Sequence, residues 1–178
     1  HTWCKFHLDP NIKFRESYIT YLHYKDNGEM VDDTHFLDKH FATGIGRYDA
    51  NWDNIEAEWY MGAEKLEKKE SPNGGFEIQK VQNNAILFFS NISNLYNKNS
   101  IAFYVASTNK GSIEIREKNK KGRILGTCKI TDTGGFGFYK IFSCNLDNLK
   151  DVQDICLVFK GKSVDILHLD WLKFNTYH

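Results

Sequence analysis

Three acids stand in two short apolar patterns that can bring carboxylates together: Ile55-Glu56-Ala57-Glu58-Trp59 and, near the far end, Leu169-Asp170-Trp171. Side chains two apart on a strand share a face and lie about 7 Å apart. Glu56 and Glu58 then point together while Ile55, Ala57 and Trp59 face a core, and a terminal strand carrying Asp170 beside them supplies a third carboxylate. Acids held side by side repel, whereas a calcium ion takes about six to eight oxygens. The pattern therefore reads as a structural Ca2+ clasp between two strands, completed by backbone carbonyls and water. It reads as well as ordinary solvent-facing acids on half-buried strands. A glycosidase acid and nucleophile, needing a separation of about 5–5.5 Å, is a third reading, but one short strand offers no cleft around Glu56 and Glu58.

Other reactive groups are more scattered. Cys4, Cys128, Cys144 and Cys156 include no Cys-x-x-Cys pair, which argues against a tetrahedral zinc site. Cys128 and Cys144 flank Thr131-Asp132-Thr133-Gly134-Gly135 almost symmetrically. If their strands lie side by side a disulfide is geometrically possible, in an oxidising setting; both also read as small buried hydrophobes. Cys4 with His7, and His35 to His40, lack a second pair of ligands and read as scattered surface groups. Gly44-Ile45-Gly46-Arg47 is followed by neither a helix nor Lys-Ser/Thr, so it is no phosphate loop.

The elements that must position these groups are strands. From residue 54 onward, short β-type runs alternate with turn residues, the pattern of an all-β, two-sheet β-sandwich of jelly-roll type. The runs cover 55–59, 76–81, 85–92, 100–107, 112–117, 124–130, 137–146, 154–160 and 165–174. Before them, alternation through Tyr18-Ile19-Thr20-Tyr21-Leu22 and the turn Asn27-Gly28 predict a short N-terminal β-hairpin extension. At 178 residues the chain holds one sandwich-sized domain and something smaller. Lys+Arg and Asp+Glu are both 23, so no basic field draws nucleic acid or acidic lipid. No apolar run has the length of a membrane span. Lys65 to Lys69 and Lys118 to Lys121 read as solvated loops. The start has neither an initiator Met nor a signal-peptide pattern, and reads as a piece of something longer.

Residues 54–174 resemble a carbohydrate-binding module of family 6. The resemblance rests on Ile55-Glu56-Ala57-Glu58, Gly74-Gly75, Phe103-Tyr104-Val105-Ala106-Ser107, Gly111-Ser112-Ile113-Glu114-Ile115-Arg116, Leu125-Gly126-Thr127, Thr133-Gly134-Gly135-Phe136, Leu157-Val158-Phe159-Lys160-Gly161 and Leu169-Asp170-Trp171. It implies a sandwich with structural calcium on Glu56, Glu58 and Asp170. It also implies a sugar site at the loop edge, where two aromatics hold a pyranose ring and an Asn bonds its hydroxyls. An aromatic face suits the apolar face of a sugar, and amides suit its hydroxyls. Here the family's Trp is Phe136, its second aromatic is replaced by Lys80, and its Asn by His168. Lys80 exchanges stacking surface for a hydrated charge, and His168 changes the donor geometry. Phe76 is a substitute platform or a core residue, and on the concave sheet face one of Phe138 and Tyr139 points out while the other joins the core.

The organisation expected is a hairpin over 1–31, a linker over 32–53 and the module over 54–174. The hairpin resembles the closing strands of a glycoside hydrolase family 43 propeller, with His1 matching a His near that active centre. A propeller site gathers carboxylates from several blades, so this fragment is not expected to be an enzyme by itself. The resemblance implies non-catalytic carbohydrate binding that targets an attached, secreted, extracellular hydrolase of xylosidase or arabinofuranosidase type to plant cell-wall polysaccharide, xylan or arabinoxylan foremost. The expected partners are that polysaccharide and the missing N-terminal catalytic propeller, with no nucleic acid and no membrane. A structural, interdomain sandwich with a degenerate sugar site is the alternative.

Overall fold

The computed structural model describes residues 2–4, 17–43 and 48–176. The chain divides into two compact units, His1–Arg47 and Tyr48–His178. His1, His7 and residues 44–47 lie outside the described residues, as do the side chains of Cys4 and His40.

In the first unit β1 (Thr2–Cys4) pairs with β2 (Ser17–Ile19), and β3 (Leu22–Tyr24) with β4 (Met30–Asp32), both antiparallel. The β3–β4 turn falls at Asn27-Gly28 as the sequence predicts: Gly28 has φ +85° and its N–H donates to the Lys25 carbonyl at 2.9 Å. The linker expected after it is instead a helix, α1 (Thr34–Thr43). Asp33 caps α1, its Oδ1 accepting the Phe36 N–H at 2.8 Å, and Phe36 and Leu37 are buried. With Phe36-Leu37 and Phe41-Ala42 as its apolar positions, a run of ten residues is too short for its period to signal a helix; the Asp33 cap adds to its stability.

The second unit is the expected sandwich. Its strands are β5 (Ile55–Glu56), β6 (Gly62–Glu64), β7 (Glu67–Glu70), β8 (Phe76–Gln79), β9 (Ile86–Ile92), β10 (Ser100–Ser107), β11 (Gly111–Glu117), β12 (Ile124–Ile130), β13 (Gly135–Asn145), β14 (Gln153–Gly161) and β15 (His168–Asn175). A front sheet runs β13-β10-β15-β8-β7, with β5 also on β15, and a back sheet runs β12-β11-β14-β9-β6. From β9 onward the chain crosses repeatedly between the sheets, so hydrophobic alternation on each strand feeds one core. Ile101, Phe103 and Val105 of β10 meet Ile113 and Ile115 of β11 and Leu157 and Phe159 of β14 there, all 0 % exposed.

Three boundaries differ from the sequence reading. Residues 48–53 belong to the sandwich: Tyr48 is buried against Phe89 and donates to the Trp59 carbonyl, Ala50 N–H bonds Ser93 O at 2.9 Å, and Trp52 meets Trp59 edge to face. Residues read as a lysine-rich loop form β7, which pairs with β8 at the sheet edge. Such charged edge strands resist pairing with other chains, and for that reason look like loops. The strand expected over 55–59 stops at Glu56, where the Trp59 N–H turns back to the Glu56 carbonyl at 3.1 Å.

Candidate functional site

The outer face of the front sheet follows from the inward set of β10. With Ile101, Phe103 and Val105 in the core, Ala102 and Tyr104 face out. Register places Tyr104 between Ile141 of β13 and Trp171 of β15. Its ring stacks on Trp171 with centroids 5.2 Å apart and planes 18° apart, and lies 5.1 Å from the Tyr139 ring on its other side. Beside this row, the small Ala102 leaves a groove of about 480 Å³ lined by Asn54, Ile141, Ser143, Trp171, Lys173, Asn175 and Thr176. One wall is aromatic and aliphatic; the rest carries amides, hydroxyls and an ammonium.

A polar cluster adjoins the row. Glu77 of β8 faces away from the core residues Phe76 and Ile78, yet it is 0 % exposed, covered by Tyr139 and His168 on that outer face. Its carboxylate accepts from Ser71 Oγ at 2.8 Å, Gln79 Nε2 at 2.8 Å, the Tyr139 hydroxyl, and His168 Nδ1 at 3.1 Å. The other nitrogen of His168 lies 3.2 Å from Asp165 Oδ2. Asp165 is itself fixed by the Lys80 and Val81 N–H groups at 3.1 and 3.0 Å. Burial acts to lower the His168 pKa, but the bonds to Asp165 and Glu77 and their charges outweigh it and raise it to about 9. Burial acts to raise Glu77, yet the bonds from His168, Tyr139, Ser71 and Gln79 hold it below the ordinary carboxylate value. Asp170 is pushed up to about 6 by burial and by the Glu77 charge, against a bond from Asn73.

The residues singled out in the sequence fall as follows. Phe136 and His168 come together, with ring centroids 4.2 Å and planes 11° apart, so the imidazole covers a face of the Phe136 platform. Thr133 fixes that turn by bonding Ser107 N–H and carbonyl at 2.9 and 3.0 Å, and Gly134 and Gly135, at φ +104° and +138°, let the chain swing Phe136 across. Lys80 is exposed, and its Nζ lies 3.0 Å from Glu67. Phe76 is 6 % exposed and faces inward with Ile78, which makes it core rather than platform. Neither Phe138 nor Tyr139 is core: Phe138 is 64 % exposed and Tyr139 spans the face to Glu77. Between the pairs Val105↔Lys140 and Ser107↔Gly135, β13 carries four residues against one of β10, which breaks the expected alternation.

Glu56, Glu58 and Asp170 do not bring their carboxylate oxygens within 4.8 Å of one another. The reason lies in β15. Trp171 pairs with Tyr104 and Leu169 with Val105, leaving Asp170 as the extra residue of a bulge. Its carbonyl accepts the Ala57 N–H at 2.8 Å while its carboxylate turns to Glu77 and Asn73. Glu58, 5 % exposed, and Glu56 remain near the junction of the first and last strands. Oxygen donors of this kind suit calcium chemically, with Asp170 turned elsewhere.

The family model for carbohydrate binding module (family 6) matches residues 55–176. The chain belongs to carbohydrate-binding module family 6. A family 6 module is a non-catalytic binding domain, in keeping with a groove of aromatic, amide and hydroxyl groups. An endo-1,4-beta-xylanase A of Thermoclostridium stercorarium is 30 % identical over 133 residues, which are 74 % of this chain and 20 % of that enzyme. The chain thus spans about a fifth of that relative. Among solved structures, a family 6 module from Clostridium cellulolyticum in complex with xylose is 30 % identical, with TM-score 0.68, covering 71 % of this chain and 98 % of that one. A family 43 arabinoxylan arabinofuranohydrolase from Bacillus subtilis in complex with cellotetraose has TM-score 0.69 at 20 % identity, covering 92 % of this chain and 34 % of that one. That likeness in fold takes in more than the 131-residue second unit, residues 48 to 178, which is under three quarters of the chain. Among the described residues no helix is long and apolar enough to cross a membrane.

Proposed function

We propose that this chain binds plant cell-wall polysaccharide with a β-1,4-linked backbone, xylan or arabinoxylan foremost, in the groove beside Trp171, and that in its parent protein it holds a secreted family 43 hydrolase of xylosidase or arabinofuranosidase type at its substrate. The observation that carries this reading is the groove itself: an aromatic wall continuous with Tyr104, facing Asn54, Ser143, Asn175 and Thr176. Stacking takes the apolar face of a sugar while the polar wall takes its hydroxyls. The xylanase and the xylose-bound module among its relatives support the choice of ligand. Tethering acts by raising the enzyme's local concentration at an insoluble substrate.

The loop-edge site of Phe136, His168 and Lys80 takes a lesser part, because His168 covers Phe136 and Lys80 is engaged with Glu67. The same closure favours a second reading, a structural sandwich that braces its neighbour with a decayed sugar site. Electrophoresis through gels containing xylan, arabinoxylan, cellulose derivatives or β-glucan separates the two. Retardation on the xylans is expected; migration unchanged in every polymer supports the structural reading.

A structural Ca2+ on Glu56 and Glu58, joined by Asp170 once its side chain turns from Glu77, belongs to this proposal. Millimolar Ca2+ is then expected to raise the melting temperature by several degrees, reversibly with chelator and not in Glu58→Gln. An unchanged melting curve removes the ion from the reading.

A further inference from the structure

Cys128 and Cys144 sit on the two strands that end their sheets on the same side of the sandwich, β12 in the back sheet and β13 in the front. Cys128 pairs across its sheet with Ile113 and Cys144 with Ile101, both fully buried core residues, so both thiols point into the space between the sheets. They are in hydrogen-bond contact with each other. Cys156 has a different setting, on β14 opposite Arg116 and Phe88.

We infer that Cys128 and Cys144 form a disulfide that staples the two sheets together, and that this is the redox-active pair of the second unit. The contact has a built-in direction. The hydrogen bond from Cys128 lowers the Cys144 pKa against the effect of burial, while that same bond, burial and the Cys144 charge raise Cys128. Cys144 is also the more exposed of the two. Its thiolate attacks a small-molecule disulfide such as oxidised glutathione, forming a mixed disulfide and releasing one thiolate. Cys128 then loses its proton, and its sulfur attacks Cys144 Sγ and expels the second thiolate. Two protein thiols are oxidised and one glutathione disulfide is reduced to two thiols. The staple fixes β13, the strand that bears Phe136, Tyr139 and Ile141, against β12. It therefore ties the front-face aromatics to the back sheet at a second point, beyond the turn of residues 131–134 that joins β12 to β13.

The full chain is equilibrated with oxidised glutathione, quenched in acid, alkylated and cut with trypsin. Expected is a peptide of residues 124–129 linked to residues 141–150, two hydrogens lighter than the sum of the reduced pair. Alkylated Cys128, glutathione retained on Cys144, or Cys144 linked to Cys156 overturns the inference. Reduction is further expected to lower the melting temperature by roughly 10 °C in the native chain and in Cys156→Ser, as closure of a loop of about 15 residues implies. An equal shift in Cys144→Ser contradicts the staple. Should that variant not fold, the peptide map of the native chain decides alone.

Discussion

Trp171→Ala abolishes retardation by xylan, whereas Phe136→Ala leaves it within about two-fold. Trp171 is the aromatic that both lines the groove and stacks on Tyr104. Truncating a central aromatic anchor typically costs about 2 kcal/mol or more, about thirty-fold in affinity. Phe136 has His168 against its ring, so a sugar gains little from it. Since Trp171 also supports Tyr104, a loss in the alanine variant has to be set beside one that leaves Trp171 in place. Ala102→Phe fills the floor of the groove from β10 while keeping every ring of the row. Both variants are expected to melt within a few degrees of the native chain and to bind at least ten-fold more weakly by calorimetry with xylohexaose. Binding lost in Phe136→Ala and kept in Ala102→Phe moves the site to the loop edge.

The sandwich was legible because each strand with one buried face writes its alternation directly into the chain, and turns such as Asn109-Lys110-Gly111 punctuate it. β6 and β7 were not, because Gly62-Ala63-Glu64 and Glu67-Lys68-Lys69-Glu70 carry the charge that an edge strand needs and a loop also shows. The face was half legible. Tyr104 follows from the alternation of Phe103-Tyr104-Val105, but its partnership with Trp171 depends on the bulge at Asp170, which shifts β15 by one residue and has no local signature. The same bulge separates Asp170 from Glu56 and Glu58, which simple alternation places together. Glu77 was invisible for a different reason. An acid between Phe76 and Ile78 reads as the solvent side of a half-buried strand, and only partners 62 and 91 residues away, Tyr139 and His168, make it a buried one. Asp165, with its hold on Lys80, Val81 and His168, escapes the sequence likewise.

Those partners make Glu77 the residue whose loss unfolds most. In Glu77→Ala the buried donors of Ser71, Gln79 and Tyr139 lose their acceptor and His168 keeps Asp165 alone. Removing one member of a buried charged network typically costs about 3–5 kcal/mol, which for a unit of this size lowers the melting temperature by more than about 10 °C. The pH profile separates this network from mere packing. His168 has a folded pKa of about 9, above its ordinary 6.5, so its stabilisation is complete below about pH 6.5 and fades as pH rises through about 9. Glu77 is held below its ordinary 4.5, so its contribution is present above that value and fades as pH falls through the lower folded one. Asp170, raised from 3.8 to about 6, acts in the opposite sense to Glu77: its contribution is full below 3.8 and lost as pH climbs through about 6. Native stability is therefore expected to decline between about pH 6.5 and about 9, and the decline to shrink in both Glu77→Ala and His168→Gln. The double variant should cost less than the two single losses added, because the pair shares one interaction. Additive losses with unaltered pH profiles mean that Glu77 and His168 act as separate packing residues, and that nothing electrostatic holds the imidazole over Phe136.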